Sequence, residues 1–147
     1  MKRSGAEPAP RLVLDTTAYS QLRRGHSTAL DLVAQADVIV VPVTVLGELE
    51  GAFLAGSRAS ENRRMLGSFL SEPTVITTPV TTSVARHYGR IYAQLKRKGQ
   101  PIPTNDIWIA AAAIDTGGCL LTFDRHFGHV ASLDAIVLPF ENETQVP

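Results

Sequence analysis

Short apolar runs alternate with longer stretches of mixed polarity along the chain. Five runs rich in valine, isoleucine, leucine and threonine favour buried strands, at residues 12–14, 38–41, 74–77, 119–122 and 136–138. The stretches between the runs have the length and the end signals of helices. Apolar strands that alternate with helices indicate a parallel sheet covered on both faces, so the pattern predicts an α/β fold.

Six helices are predicted between the strands, at residues 16–24, 28–35, 45–55, 57–70, 81–98 and 105–116. Ser27, Thr44 and Thr104 are the expected N-caps of three of them, because a hydroxyl oxygen accepts the free backbone N–H groups of a first turn. The last turn of the fifth helix contains the basic triplet 96–98. Cations suit the negative end of a helix dipole, and an RNA-contacting patch is the alternative interpretation.

The length of 147 residues predicts a single domain, and a hydrophobic content of 44% is ordinary for a globular protein with a core. Residues 1–10 and 141–147 are expected to be a disordered leader and a polar tail, which leaves 11–140 as the folded domain. No apolar run approaches the roughly 20 residues of a membrane span, and the N-terminus lacks the apolar stretch of a secretory signal. The single cysteine, Cys119, excludes an internal disulfide and fits a reduced, cytoplasmic setting.

The charges balance, with 14 basic and 14 acidic residues. A domain that binds nucleic acid mainly through its overall field is usually basic, so the balance weighs against a dedicated nucleic-acid binder. It is compatible with an enzyme that touches only a short stretch of nucleic acid.

Three aspartates lie at the ends of predicted elements. Asp15 directly follows the first strand, Asp124 comes two residues after the fourth, and Asp106 lies in the first turn of the sixth helix. Ligands of open parallel sheets bind outside the carboxyl ends of the strands. If the first and fourth strands are neighbours, all three acids reach the same edge. Each acid alone also has an ordinary explanation, as a turn residue or as a partner of the helix dipole.

Glu48 is a fourth candidate, in the middle of the third helix. Small residues, among them Gly51 and Ala52, share its side of the helix, which would allow a metal site or another backbone to approach closely. Glu50 lies on the other side with Phe53. Periodicity alone therefore favours Glu48 over Glu50, but only weakly.

Carboxylates that are brought together repel one another and stay ionised most easily around a divalent cation. Mg²⁺ prefers carboxylate oxygens, water and phosphate oxygens as ligands, and such ions support phosphodiester hydrolysis. The sequence contains no Cys/His spacing typical of zinc, and no histidine ligand is expected. It contains neither a glycine-rich phosphate loop nor a Gly-x-Ser-x-Gly nucleophile elbow.

Four stretches that contain these acids resemble, in order, the motifs of the PIN-domain family, and within it the toxin ribonucleases of bacterial type II toxin–antitoxin pairs (the VapC toxins). They are Val13–Thr17, Val43–Leu49, Pro103–Ala111 and Leu121–Phe127. The first motif alone is weak, whereas the third and fourth together are specific. The resemblance covers about residues 11–140 and favours Glu48 as the helical acid.

The resemblance implies a three-layer α/β sandwich, with helices flanking a five-stranded parallel sheet in the order 3-2-1-4-5. It implies a Mg²⁺ or Mn²⁺ site formed by Asp15, Glu48, Asp106 and Asp124, in which the Thr17 hydroxyl orients the first carboxylate. The implied activity is endonucleolytic hydrolysis of RNA by a metal-activated water. Members of the family commonly form homodimers and are inhibited by a small VapB-like antitoxin protein, so these are the expected partners besides RNA.

Other functions stay open at this stage. A PIN-like domain that binds RNA or a protein without cutting typically lacks one of the acids, and this chain has all four. A metal-dependent nuclease acting on DNA has the same phosphodiester chemistry. A phosphotransfer domain using Asp15 is disfavoured, because such enzymes need a second aspartate two residues later, where this chain has Thr17.

Overall fold

A computed structural model describes residues 2–3 and 10–140 of the chain. The predicted leader and tail lie outside the described residues, except for Lys2–Arg3 and Pro10. Lys2–Arg3 forms a two-residue strand, β1, which the sequence pattern did not predict. No helix in the described ranges combines the length and the apolarity needed to cross a membrane.

The sheet has six parallel strands in the order β4-β3-β2-β5-β6-β1. The longer strands are β2 Arg11–Leu14, β3 Val38–Pro42, β4 Val75–Thr78, β5 Cys119–Thr122 and β6 Ala135–Val137. Counted without β1, these five strands have the order 3-2-1-4-5. The predicted fold class and strand order are therefore confirmed.

The two central strands are buried on both faces. Leu12, Val13 and Leu14 of β2 have no exposed surface, and the same is true of Leu120 and Leu121 of β5. Burial on both faces explains why these strands are continuous apolar runs rather than alternating ones. β2 pairs directly with β5, with Leu14 opposite Leu121. This pairing, which the sequence could only assume, places the residues that follow the two strands side by side.

Within residues 10–140, six α-helices flank the sheet: α1 Thr16–Arg23, α2 Ser27–Gln35, α3 Val43–Ala55, α4 Ala59–Leu70, α5 Thr82–Lys98 and α6 Thr104–Thr116. A 3-10 helix, Arg125–His129, stands where a turn was predicted. Helices α5 and α6 form an antiparallel hairpin, since Ser83 near the start of α5 donates to Asp115 near the end of α6. The hairpin bends at Gly99, whose φ of 66° is open to glycine without strain.

Three residues predicted as N-caps lie inside the first turns of their helices instead: Ser27, Thr44 and Thr104. In α2 the cap is the His26 ring, whose Nδ1 accepts the Ala29 N–H at 3.3 Å. Helices α3 and α6 follow Pro42 and Pro103 directly, with no side-chain cap. Both prolines have extended backbone, with ψ of 146° and 144°, so the helical conformation begins only at the residue after each of them.

Candidate functional site

Asp15 directly follows β2 and is the N-cap of α1, where its Oδ1 accepts the Ala18 N–H at 2.7 Å. A strand end and a helix start therefore fix its position. The residue is only 3% exposed. This burial raises the pKa of Asp15 from 3.8 to about 6, against the opposing effect of the hydrogen bonds that the carboxylate accepts from Thr122, Ala18 and Thr17.

Two threonine hydroxyls hold the Asp15 carboxylate in place. Thr17 donates to Oδ1 at 2.7 Å, and Thr122, the last residue of β5, donates to Oδ2 at 2.5 Å. Each hydroxyl oxygen also accepts a hydrogen bond from the backbone after β5. The Phe123 N–H donates to Thr17 at 3.0 Å, and the Asp124 N–H donates to Thr122 at 2.9 Å. The two hydroxyls thus connect the segment that carries Asp124 to the carboxylate of Asp15.

Asp106, in the first turn of α6, interacts electrostatically with each of the other three acids. Burial, followed by the negative charges of Asp124 and Glu48, raises the pKa of Asp106 to about 6, and His126 opposes the rise. The charge of Asp106 in turn adds to the raised pKa of Asp15. The structure therefore brings all four predicted acids close enough for their charges to interact.

Glu48 points toward the start of α1, where the Thr16 hydroxyl donates to its Oε1 at 3.0 Å. Glu50 instead forms an ion pair with Arg63 of α4 at 3.0 Å. Two residues of separation correspond to a rotation of about 200° around a helix, so the two glutamates face different neighbours. Glu48, the residue favoured by periodicity, is the one that reaches the acidic cluster.

Asp124 follows β5 and caps the 3-10 helix, where its Oδ1 accepts the His126 N–H at 2.9 Å. The His126 ring lies beside two aspartates, with Nδ1 3.2 Å from Asp124 Oδ1 and 3.6 Å from Asp106 Oδ2. Among the described residues, these three side chains offer ligand atoms that all lie within 4.8 Å of one another. A group of that size could hold one metal ion.

Sequence reasoning did not single out three residues of this site: Thr16, Thr122 and His126. Thr122 ends an apolar run, where nothing in the sequence marks its hydroxyl as a carboxylate partner. His126 lies two residues after Asp124, and in a tight turn that spacing brings the ring beside the carboxylate. This spacing is the signal that could have identified His126, although the sequence analysis expected no histidine ligand.

The donor set fits a hard divalent cation. Carboxylate oxygens are the ligands that Mg²⁺ and Mn²⁺ prefer. Burial raises the pKa of Asp15 and Asp106, and the charges of neighbouring acids raise it further, so positive charge at this site would stabilise the ionised form of both carboxylates. A divalent cation would supply that charge, which makes the arrangement suitable for chemistry on phosphate esters.

Comparison with known proteins points to one family. Residues 12–133 match the PIN domain. The chain is also 30% identical over 122 residues to the ribonuclease VapC5 of Mycobacterium tuberculosis, and this alignment covers 83% of the chain and 87% of that protein.

Solved structures share the fold over a similar range. One is the structure of VapBC2 from Rickettsia felis bound to a DNA fragment from the VapBC2 promoter. It has a TM-score of 0.74 at 26% identity, and the alignment covers 85% of this chain and 96% of that chain. A second is the structure of VapBC-5 from Mycobacterium tuberculosis, a member of the VapBC family of toxin–antitoxin systems. It has a TM-score of 0.68 at 26% identity, and the alignment covers 88% of this chain and 99% of that chain. The family match runs from β2 to the segment before β6 and includes all four acids, so this chain belongs to the PIN domain family.

Proposed function

We propose that this protein is a metal-dependent endoribonuclease and the toxin of a type II toxin–antitoxin pair. The observation that supports this function best is the convergence of Asp15, Glu48, Asp106 and Asp124, with the pKa of two of them raised to about 6. Such a cluster is costly to fold unless a cation binds there. The relatives named as ribonucleases support RNA as the substrate.

Mg²⁺ or Mn²⁺ would be held by Asp15 and Asp106, with Asp124 and Glu48 completing the site directly or through water. The His126 ring lies close enough to two of these acids to share the site. When bound, a divalent cation neutralises the carboxylates, activates a water molecule and stabilises negative charge on phosphate oxygens.

The hydroxyl groups of the chain preorganise the acids. Thr17 and Thr122 each donate to one oxygen of Asp15, so the carboxylate is held against rotation. Thr16 orients Glu48 in the same way from the start of α1. Fixed groups need little reorganisation when charge develops during the reaction, which is the main source of electrostatic catalysis.

Cleavage assays with the purified full-length chain test the proposal. We expect single-stranded RNA to be cut in the presence of Mg²⁺ or Mn²⁺ and to stay intact with EDTA. Asp106→Asn should abolish cleavage, whereas Asp31→Asn, which changes an exposed acid of α2, should leave it unchanged. Cutting of a DNA strand of the same sequence, but not of RNA, would reassign the substrate. Tight RNA binding without any cutting would indicate a non-catalytic binding module.

We further propose that a small VapB-like antitoxin inhibits the protein and that both act in the cytoplasm. Solved relatives are VapBC toxin–antitoxin structures. An arginine of such a partner would suit the acidic cluster, because a guanidinium pairs with carboxylates through two hydrogen bonds. Expression of the chain alone should arrest growth, and co-expression of the adjacent antitoxin gene should restore it. If wild-type expression proves harmless, the toxin role is wrong even if the nuclease activity stands.

We also expect a homodimer, which light scattering coupled to size exclusion can test.

A further inference from the structure

Helix α5 is the most basic element of the described chain. It carries five of the 14 basic residues and no acidic residue, although the whole chain has no net charge. Three of these cations, Lys96–Lys98, form its last turn. This end of α5 is joined by residues 99–103 to the first turn of α6, which holds Asp106. The Gln94 side-chain oxygen accepts the Ala131 N–H at 3.3 Å, which connects α5 to the segment after the 3-10 helix. The basic end of α5 is therefore joined, through only five residues, to the helical turn that carries Asp106.

A pocket of about 300 Å³ lies between this end of α5 and the start of α6. Most of its lining is apolar, with Leu95, Ile102 and Ile107 as the aliphatic walls, and Lys96 is the one cation among its lining residues. Ile107 directly follows Asp106 in the chain. The pocket and the acidic site consequently share the first turn of α6.

The ring of Tyr92 forms part of this pocket. Half of Tyr92 is exposed, and its ring stacks on that of Tyr88, with centroids 6.4 Å apart and planes 11° apart. Tyr88 packs in turn against Trp108 of α6, with centroids 4.2 Å apart. Tyr92 is the outer member of this row of three rings, and its aromatic surface is partly exposed at the pocket.

We propose that this pocket receives one nucleobase of a single-stranded RNA next to the phosphate that is cut, with Tyr92 stacking on the base and Lys96 contacting the adjacent phosphate. The inference rests on the proposed ribonuclease function and adds a base-binding subsite to it. The subsite would make the enzyme sensitive to the identity of the base at one position beside the cut.

The charge of α5 favours a nucleic acid over a protein as the occupant. Grooves that bind single strands combine aromatic rings for stacking with cations that follow the backbone, and this end of α5 has both. Four clustered carboxylates repel a polyanion, so the strand needs cations beside the site to approach it. Lys96–Lys98 are placed to supply them. An apolar peptide side chain would fill the same volume but would leave these cations without a partner on the ligand.

Sequencing of cleavage products tests the proposal. Short single-stranded RNA oligonucleotides of randomised sequence are digested by the full-length protein with Mn²⁺, and the base preference is read at every position relative to the cut. We expect Tyr92→Ala to flatten the preference at one position next to the cut and to lower kcat/KM about tenfold, the effect typical of one lost stacking contact. Tyr92→Phe should retain both properties.

The matched control changes a cation at the other end of the same helix. Lys96→Ala should lower kcat/KM and weaken its dependence on salt, as expected for the loss of a phosphate contact. Arg86→Ala removes an equal charge about 15 Å away along α5 and should change neither the rate nor the base preference. Equal effects of the two substitutions would show that only the overall charge of α5 matters and would overturn the local phosphate contact.

Two further outcomes separate this inference from the function on which it rests. If wild-type protein cuts RNA but Tyr92→Ala shows an unchanged profile and rate, the subsite is wrong and the ribonuclease function stands. An unchanged profile together with a changed oligomeric state would identify the pocket as a protein interface instead. If wild-type protein neither cuts nor binds the oligonucleotides, both the function and the subsite are wrong.

Discussion

Replacing Asp15 by asparagine should make the metal-free protein more stable at neutral and basic pH, although it should abolish activity. The carboxylate is buried, and its pKa in the folded chain is about 6, above its usual 3.8. The folded state therefore binds this proton more tightly than the unfolded state does. The bound proton's contribution to the free energy of unfolding is fully present below about pH 4, falls as the pH rises toward 6 and is absent above about pH 6.

The magnitude follows from the two pKa values. Their difference corresponds to about 3 kcal/mol of stability lost on full ionisation, of which about 1.4 kcal/mol is lost between pH 5 and pH 8. Asparagine keeps the shape and can accept the Thr17 and Ala18 hydrogen bonds through its oxygen. Its amide group would face the Thr122 hydroxyl, which must then accept rather than donate, at a cost of about 1 kcal/mol. We therefore expect a net gain of about 2 kcal/mol at pH 8.

Urea unfolding with EDTA, at pH 5 and pH 8, measures both effects. The free energy of unfolding should fall with pH by about 1.4 kcal/mol less in Asp15→Asn than in the wild type. Asp31→Asn, at an exposed position, is the control and should follow the wild type. Saturating Mg²⁺ should reverse the order, since it stabilises only a chain that binds it, by about 2.7 kcal/mol at one hundred times Kd. Equal pH dependence of wild type and Asp15→Asn would refute the assignment of the raised pKa to this carboxylate.

Three other predictions concern single contacts. Thr122→Val should lower the free energy of unfolding by about 1–3 kcal/mol, because it removes both a donor to Asp15 and the acceptor of a backbone N–H. Thr122→Ser keeps the hydroxyl and should retain most of the wild-type stability in the same urea titration. Gly118→Ala would place a Cβ 2.8 Å from Val13 Cγ2 and should lower the free energy of unfolding by about 1–3 kcal/mol. Gly89→Ala, in open space within α5, should raise the free energy of unfolding by about 0.5–1 kcal/mol. A reversed order of the two melting temperatures would contradict this packing. Glu48→Gln should abolish RNA cleavage, and Glu50→Gln should retain it, since Glu50 is engaged with Arg63 on another side of α3.

The strands and most helix ranges could be predicted because their signals are local. A β-branched run such as 38–41 carries its own preference, and Gly99 and Gly117 mark helix ends through a left-handed conformation that glycine adopts freely. The starts of the helices were harder to predict from the sequence. A serine or threonine at a predicted first turn indicates a cap, but Pro42 and Pro103 start their helices without one, and a buried histidine ring caps α2.

The candidate acids could be found from the sequence because strand ends place them at one edge, but their mutual arrangement could not. It depends on the pairing of β2 with β5, which brings together residues from opposite ends of the chain. The shared hydroxyl of Thr122 depends on the same pairing, since it meets Asp15 only when the strands are adjacent in this register. Side-chain networks of this kind have no local sequence signal, and the family resemblance names the acids without naming what orients them.

The ends of the outer strands have a consequence for aggregation. An unpaired strand edge is a template on which another chain can add a strand, and the risk grows with the length of the edge. The edge strands of the described sheet are β4, which has four residues and is followed by Pro79, and β1, which has only two residues. Proline has no N–H to offer, so β4 cannot lengthen its ladder past Pro79. The outer strands are thus too short to recruit a further strand efficiently, and the chain should resist fibre formation at the concentrations used for purification.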